Sequence, residues 1–240
     1  MEQKLSVGDT LSEVFNVYRD QAGVLLPVAF WLFLVVAIIN GLTAGSFSLF
    51  WLGSLVSIIV GILYQGMVVE LVRDIQDGRR DSSVGDLMRS VAPVLGALLG
   101  AGILAGLGIV GGLILLVVPG LYLATIWSVI APVIVVERRR VFDSFGRSRQ
   151  LVEGQGWPVF GTIVVAYVIA AVAALAFGQI AVAIANGPIV RIVFSALAST
   201  ITAPIGALVA AILYYRLLSL RGTPTPAEGT GTPSDNTPSA

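Results

Sequence analysis

Of the 240 residues, 56% are hydrophobic and 12% charged, and the mean hydropathy is +0.93. Soluble domains lie near about 45–50% apolar and about 25% charged, so this composition belongs in a bilayer. The chain has no Cys and no His, which excludes disulfides, thiolate nucleophiles, Ser-His-Asp triads, HExxH zinc sites, histidine proton shuttles and histidine-ligated haem.

The first predicted element is a short helix. In the tetrapeptide Ser6, Val7, Gly8, Asp9 a capping hydroxyl stands three residues ahead of a carboxylate, a pairing that satisfies free backbone N–H groups and favours a helix N-terminus. Leu11, Val14, Phe15 and Tyr18 then follow at the i, i+3, i+4, i+7 spacing of one apolar stripe, with Glu13, Asn16 and Arg19 turned away. The pattern predicts an amphipathic helix lying in the plane of the inner leaflet. No small-residue cleavage site follows a short apolar core, so the first span reads as a retained anchor rather than a signal peptide.

Charge-free stretches mark the spans, because a charged side chain near the bilayer centre costs about 2.5–3.5 kcal/mol. No charge occurs between Asp20 and Glu70 or between Arg89 and Glu137; at about 20 residues per span, each stretch holds two helices and a turn. The first pair is predicted at Ala22 to Leu42 and Leu49 to Val69, turning at Thr43 to Ser46. The same tetrapeptide, Ser83 to Asp86, then precedes a pair at Pro93 to Val118 and Leu121 to Val136, turning at Pro119 and Gly120. A looser copy, Val141, Phe142, Asp143, precedes a third stretch from Val159 to Tyr215. Its one charge, Arg191, stands beside Asn186, Gly187 and Pro188 and reads as a boundary between two spans. From Gly222 to Ala240 the chain is rich in Thr, Pro, Gly and Ser and reads as a disordered cytoplasmic tail, with Thr-Pro pairs at Thr223, Thr225, Thr232 and Thr237.

Six spans collect 13 of the 14 basic residues and all 14 acidic ones on one side. Lys and Arg favour the cytoplasmic face, so the expected topology is N-in and C-in. The aligned motif is Val, any residue, Asp, any residue, then Leu11, Met88 or Phe145. Val68, Val69, Glu70 and Val135, Val136, Glu137 close the first two pairs alike. The fold is therefore read as all-α: three transmembrane hairpins, each preceded by a short interfacial helix, in repeat units of about 6–70, 83–137 and 141–218 within a domain spanning 1–221. The lead-in residues Ser6, Asp9, Ser83, Asp86 and Asp143 carry the repeat.

The segment from Pro119 through Phe160, VPGLYL leading by Ala131 and Pro132 to VIVVE and VFDSFGRSRQLVEGQGWPVFG, resembles a family of bacterial polytopic membrane proteins. That family includes the membrane domain attached to some glycerophosphoryl diester phosphodiesterases and YciC-like proteins, and SVGDTLSEVFNVYRD is similar to its first helix. The resemblance covers most of residues 5 to 218 and implies the fold. The phosphodiesterase activity belongs to a separate soluble domain built on His and acidic residues, so it is not carried over to a chain without His.

Ser54, Ser57, Gln65, Thr125, Ser128, Thr162, Gln179, Ser195, Ser199 and Thr202 are the polar residues within the spans, expected to bond between helices or to line a cavity. Glu70 and Glu137 are expected at span ends, paired with Arg73 or Arg138. Arg138, Arg139, Arg140, Arg147 and Arg149 form a basic loop suited either to topology signalling or to anionic lipid headgroups, each worth about 1 kcal/mol near the inner surface. Acidic residues nearly cancel this charge, which argues against nucleic acid as a partner.

Membrane lipids, other membrane proteins or a second copy are the expected partners, and no cofactor is implied. An Arg to Lys ratio of 13 to 1 with abundant Ala and Gly fits a bacterial cytoplasmic membrane and a GC-rich genome. The leading functional expectation is a non-enzymatic protein that organises or assists lipids or partner proteins. A transporter for a lipid or other amphipathic solute is the alternative. A lipid-modifying enzyme is the third, drawing on Glu70, Asp74, Asp77, Asp86, Glu137 and Asp143.

Overall fold

The computed structural model describes residues 5–43, 45–78, 84–184 and 187–222. The cap Ser83, the residue Asn186 and the tail from Thr223 onward lie outside them. Regular structure among the described residues is helical: α1 Val7–Asp20, α2 Ala22–Thr43, α3 Phe47–Gln76, α4 Val84–Val91, α5 Leu95–Leu115, α6 Val117–Ile126, α7 Ile130–Glu137, α8 Val141–Val152, α9 Gly156–Ile184 and α10 Pro188–Leu220, with a 3-10 turn at Ala92–Val94. Six stretches are long and apolar enough to cross a membrane, namely Ala22–Thr43, Leu49–Gln76, Val84–Leu115, Val117–Glu137, Gly156–Ile180 and Ile189–Leu220. The all-α class and the number of spans agree with the sequence. Arg191 lies in the first turn of α10, next to the Gly187–Pro188 boundary.

Three local departures have physical causes. First, α3 continues past Val69 to Gln76, because Arg73 links Glu70 at 3.4 Å and Asp77 at 3.8 Å along one helix face. Second, the turn between the third and fourth spans falls at Leu116, whose backbone is extended, and not at Pro119 and Gly120. Pro119 lies in the first turn of α6, where its missing N–H has no helical partner to lose. Gly120 serves close approach: a Cβ added to Gly112 of α5 would lie 2.9 Å from the Gly120 Cα.

Third, the fourth span is broken between α6 and α7, at Trp127 to Val129. Pro132 has no N–H to return to the Ser128 carbonyl, and its ring crowds that carbonyl. Around the break the Ser128 and Ile130 N–H groups therefore donate to Thr125 and Trp127, three residues back. The Ile126 carbonyl, left without its usual helical donor, accepts instead from the Ser148 hydroxyl of α8 at 2.7 Å.

The second members of the apolar pairs, α3, α7 and α10, touch one another, while α2, α5 and α9 pack around them. Helix α2 also packs on α10, α5 on α3, and α9 on α6. Buried side chains concentrate in Tyr64 to Val72 of α3, Ile130 to Val136 of α7 and Ile205 to Leu218 of α10, joined by Leu151 and Val152 of α8 and Val14 of α1. At the opposite end of the helices Leu42, Phe47, Trp51, Ile114, Leu115, Val118 and Leu175 are exposed. The bundle is close-packed toward the charged helix ends and open toward the apolar ones. Exposed apolar side chains at that end match the hydrocarbon that a spanning helix meets.

Helix α1 differs from the in-plane expectation in its contacts. Ser6 caps it, accepting from the Asp9 N–H at 3.4 Å, and Val14 is fully buried. Glu13 does not face away: its carboxylate accepts from Arg216 Nε of α10 at 2.6 Å. Farther along, the Tyr18 hydroxyl donates to the Ile201 carbonyl of α10 at 3.1 Å, one turn from Pro204. These two anchors lay α1 along α10, so residues that a free surface helix would turn to water are used for docking.

Candidate functional site

The charged end holds two carboxylates, each at the end of a Val-Val-Glu run and each nearly buried. Glu137, with 10% of its side chain exposed, closes α7. One of its oxygens, Oε1, accepts from Arg147 Nε of α8 at 3.0 Å and from the Tyr214 hydroxyl of α10 at 3.1 Å, while Oε2 accepts from Arg139 Nε at 2.6 Å. Glu70 Oε1 accepts from the Ser90 hydroxyl of α4 and from Arg73 at 3.4 Å, and Arg138 Nη2 stands 3.9 Å away. Its other oxygen, Oε2, is buried without a hydrogen bond.

Arg138 accounts for a difference from the expected pairing. It follows α7 in the left-handed conformation, φ 53° and ψ 35°, which costs a non-glycine residue about 1–2 kcal/mol. That turn swings its guanidinium away from Glu137 toward α4, where it donates to the Ser90 carbonyl at 2.9 Å and hydroxyl at 3.2 Å. Those charge-assisted bonds offset the strain. Glu137 is left to Arg139 and Arg147.

The lead-in helices each make one polar contact at the same offset. Glu13, Ser90 and Arg147 each stand four residues after the motif aspartates Asp9, Asp86 and Asp143. Each reaches a charged residue near the end of a helix: Glu13 meets Arg216 of α10, Ser90 meets Glu70 of α3, and Arg147 meets Glu137 of α7. Asp9, Asp86 and Asp143 themselves occupy first helical turns, favourable to the dipole. The third copy carries Arg140 at the N-cap without a side-chain cap bond, unlike Ser6. The signal for Ser90 and Arg147 was in the sequence, as a fixed offset from each Asp; the partner of each was not.

Of the five loop arginines, Arg138, Arg139 and Arg147 are therefore engaged with carboxylates. Arg140 and Arg149 are exposed and meet no carboxylate of the described residues. Arg149 is the chain neighbour of Ser148, which bonds Ile126. Ile126 in turn lines a groove of about 420 Å³ between α6 and α9, with Leu121, Tyr122, Thr125 and Trp157. Nearby, Arg221 caps the end of α8, donating to the Glu153 carbonyl at 2.8 Å.

Four of the acidic residues have arginine partners. Arg73 lies 3.8 Å from Asp77 and Arg89 lies 3.8 Å from Asp86, while Glu70 and Glu137 accept charge-assisted bonds. Among the described residues no group of three or more acidic side chains is placed to hold a metal ion.

Polar groups within the spans bond mostly within their own helix, not between helices. Ser54, Thr125, Thr162 and Thr202 donate to the carbonyl four residues back. Interhelical bonds come instead from Asn40 to Ser57 at 3.0 Å and from the hydroxyls of Tyr18, Tyr64, Ser148 and Tyr214. Tyrosine was not singled out in the sequence because its ring fits an apolar stripe. Burial raises the pKa of the Tyr18 hydroxyl.

Two cavities open where the close-packed core ends. One, about 440 Å³, lies between α2, α3, α9 and α10 and includes Phe33, Tyr64, Tyr167 and Thr202. The other, about 650 Å³, lies between α3, α5 and α7 and includes Ser57, Leu98, Trp127 and Ser128. Gly61 and Gln65 line both. No family model, curated protein or solved structure matches this chain.

Proposed function

We propose that this chain is a non-enzymatic multi-pass membrane protein that organises anionic lipids at one face of a bacterial cytoplasmic membrane. The observation that carries the reading is the division among the loop arginines: Arg138, Arg139 and Arg147 pair with glutamates, while Arg140 and Arg149 are exposed, Arg149 one residue along α8 from Ser148, whose partner Ile126 lines an apolar groove with Trp157. A phosphodiester headgroup supplies the missing negative charge, and the groove accepts an acyl chain. The clamped carboxylates weigh against the enzyme reading, which needs a free acid or base. The test is lipid retention. Protein in nanodiscs with equal phosphatidylglycerol and phosphatidylcholine should release the anionic lipid more slowly in mass spectrometry. Arg140→Gln with Arg149→Gln should abolish that preference; an unchanged preference overturns the proposal.

The arrangement proposed for the membrane is three hairpins, α2 with α3, α5 with α6 and α7, and α9 with α10, each preceded by a lead-in helix and both termini cytoplasmic. The matched positions of Glu13, Ser90 and Arg147 support a threefold internal repeat. Reporter fusions after Arg149 should signal from the cytoplasm, and an external signal rejects the topology. A second reading, a transporter for a lipid or other amphipathic solute, draws support from the two cavities that meet at Gln65. Accelerated movement of labelled lipid across proteoliposomes would favour it over static organisation.

A further inference from the structure

Gln65 is the one residue that brings a side-chain amide to both cavities, and it makes no hydrogen bond to another described residue. Ser128, across the larger cavity, has a buried hydroxyl that likewise has no partner. Both lie within apolar spans, where an unsatisfied amide or hydroxyl is unfavourable because no water offers an alternative partner. The other span hydroxyls in this region are already engaged: Ser57 with Gly53 and Asn40, Thr202 with Ala198, Tyr64 with Leu25. Two polar side chains lining one cavity without partners differ from that rule.

The break between α6 and α7 explains how Ser128 comes to be free. Its position is the one whose helix geometry Pro132 disrupts, so its hydroxyl lacks the carbonyl four residues back that serves Thr125. The Thr125 pattern, a hydroxyl absorbed by its own helix, is lost where the helix is interrupted. Gly61, one turn before Gln65, lines both cavities with it.

We propose that Gln65 and Ser128 form the polar seat of a binding site, open to the hydrocarbon along Ile103, Leu107 and Val110, for a neutral amphiphile such as a diacylglycerol, whose only polar groups are a hydroxyl and ester carbonyls. The lining excludes charged ligands, since it contains no Lys, Arg, Asp or Glu and a buried phosphodiester would have no counter-ion. Water is a poor occupant as well. A space of about 650 Å³ walled mainly by apolar side chains and facing hydrocarbon gives a water cluster few polar contacts. A neutral lipid fills the apolar volume and presents one group to the amide and hydroxyl. This site is separate from the arginine face and takes a different lipid.

The test uses the full chain in phosphatidylcholine vesicles with a diazirine-bearing diacylglycerol as the probe. Photolabelling should map by peptide mass spectrometry to α3, α5 and α7, and unlabelled diacylglycerol should compete while added phosphatidylcholine does not. Gln65→Leu and Ser128→Ala should each reduce labelling about fivefold, the effect of one neutral hydrogen bond. Arg140→Gln with Arg149→Gln should leave it unchanged, which separates this site from the headgroup proposal. Without probe, Gln65→Leu should melt no lower than the parent, because it removes an unsatisfied amide; a lower melting temperature identifies a structural Gln. Equal competition by phosphatidylcholine would mean that ordinary bilayer chains occupy the cavity. That result, absent labelling, or undiminished labelling in both variants overturns the proposal.

Discussion

Glu137 concentrates the electrostatics of the charged end in a single side chain. Arg139, Arg147 and Tyr214 all donate to it, from the following loop, from α8 and from α10. Replacing it with Gln leaves two guanidinium groups facing one neutral amide, and breaking a largely buried pair costs about 3 kcal/mol. Glu137→Gln is therefore expected to lower the melting temperature in detergent, and Glu137→Gln with Arg147→Leu to recover part of the loss. Tyr18 gives a pH signature at the same scale. Its hydroxyl is half-buried against Ile201, and that burial raises its pKa in the folded state. An acid with a raised folded pKa contributes its full stability below the unfolded value, about 10, and loses it as pH climbs through the folded one. Melting temperatures should fall more steeply above pH 10 in the parent than in Tyr18→Phe.

Among the elements, the break between α6 and α7 depends on α8 for its hydrogen-bond accounting. Pro132 deprives the α6–α7 junction of helical donors, and Ser148 supplies one to the Ile126 carbonyl. Ser148 is fully buried, so Ser148→Ala leaves a buried carbonyl unsatisfied, at about 1–3 kcal/mol. Hydrogen exchange should rise selectively at the amides of Trp127 to Pro132's successor Val133, with little change in α10. Pro119 and Gly120 are visible in the sequence as punctuation and read there as the turn, which lies at Leu116. A Pro-Gly pair marks a helix start as readily as a turn, and which one holds depends on where the helices meet. Here Gly112 and Gly120 press backbone against backbone. That contact lets α5 and α6 approach closely and leaves Leu116 as the residue between them.

At the scale of the whole molecule, α1 ties the beginning of the described chain to its last helix. Arg216 Nε donates to Glu13 at 2.6 Å and Arg216 Nη2 to the Asp9 carbonyl at 3.0 Å. The pair is about one-third exposed, so it is worth less than a buried one; its value lies in fixing which helix α1 docks against. Glu13→Arg should lower the melting temperature and increase proteolysis within α1. Arg216→Glu should do the same, and the double exchange should restore both measures.

How much of this was legible follows from what each feature depends on. Six apolar helices, the charge-free stretches and the acidic first turns came from the sequence alone, because the bilayer penalty acts on each residue wherever its neighbours are. The capping Ser6 was legible for the same reason, its donor being three residues away. The choice of Arg147 and Arg139 over Arg138 for Glu137, the docking of Glu13, the intrahelical bonds of the span hydroxyls and the cavities at Gln65 were decided only by the tertiary structure. They depend on helix rotation, on the left-handed turn at Arg138 and on spacing between helices distant in the chain, and no local period carries that information.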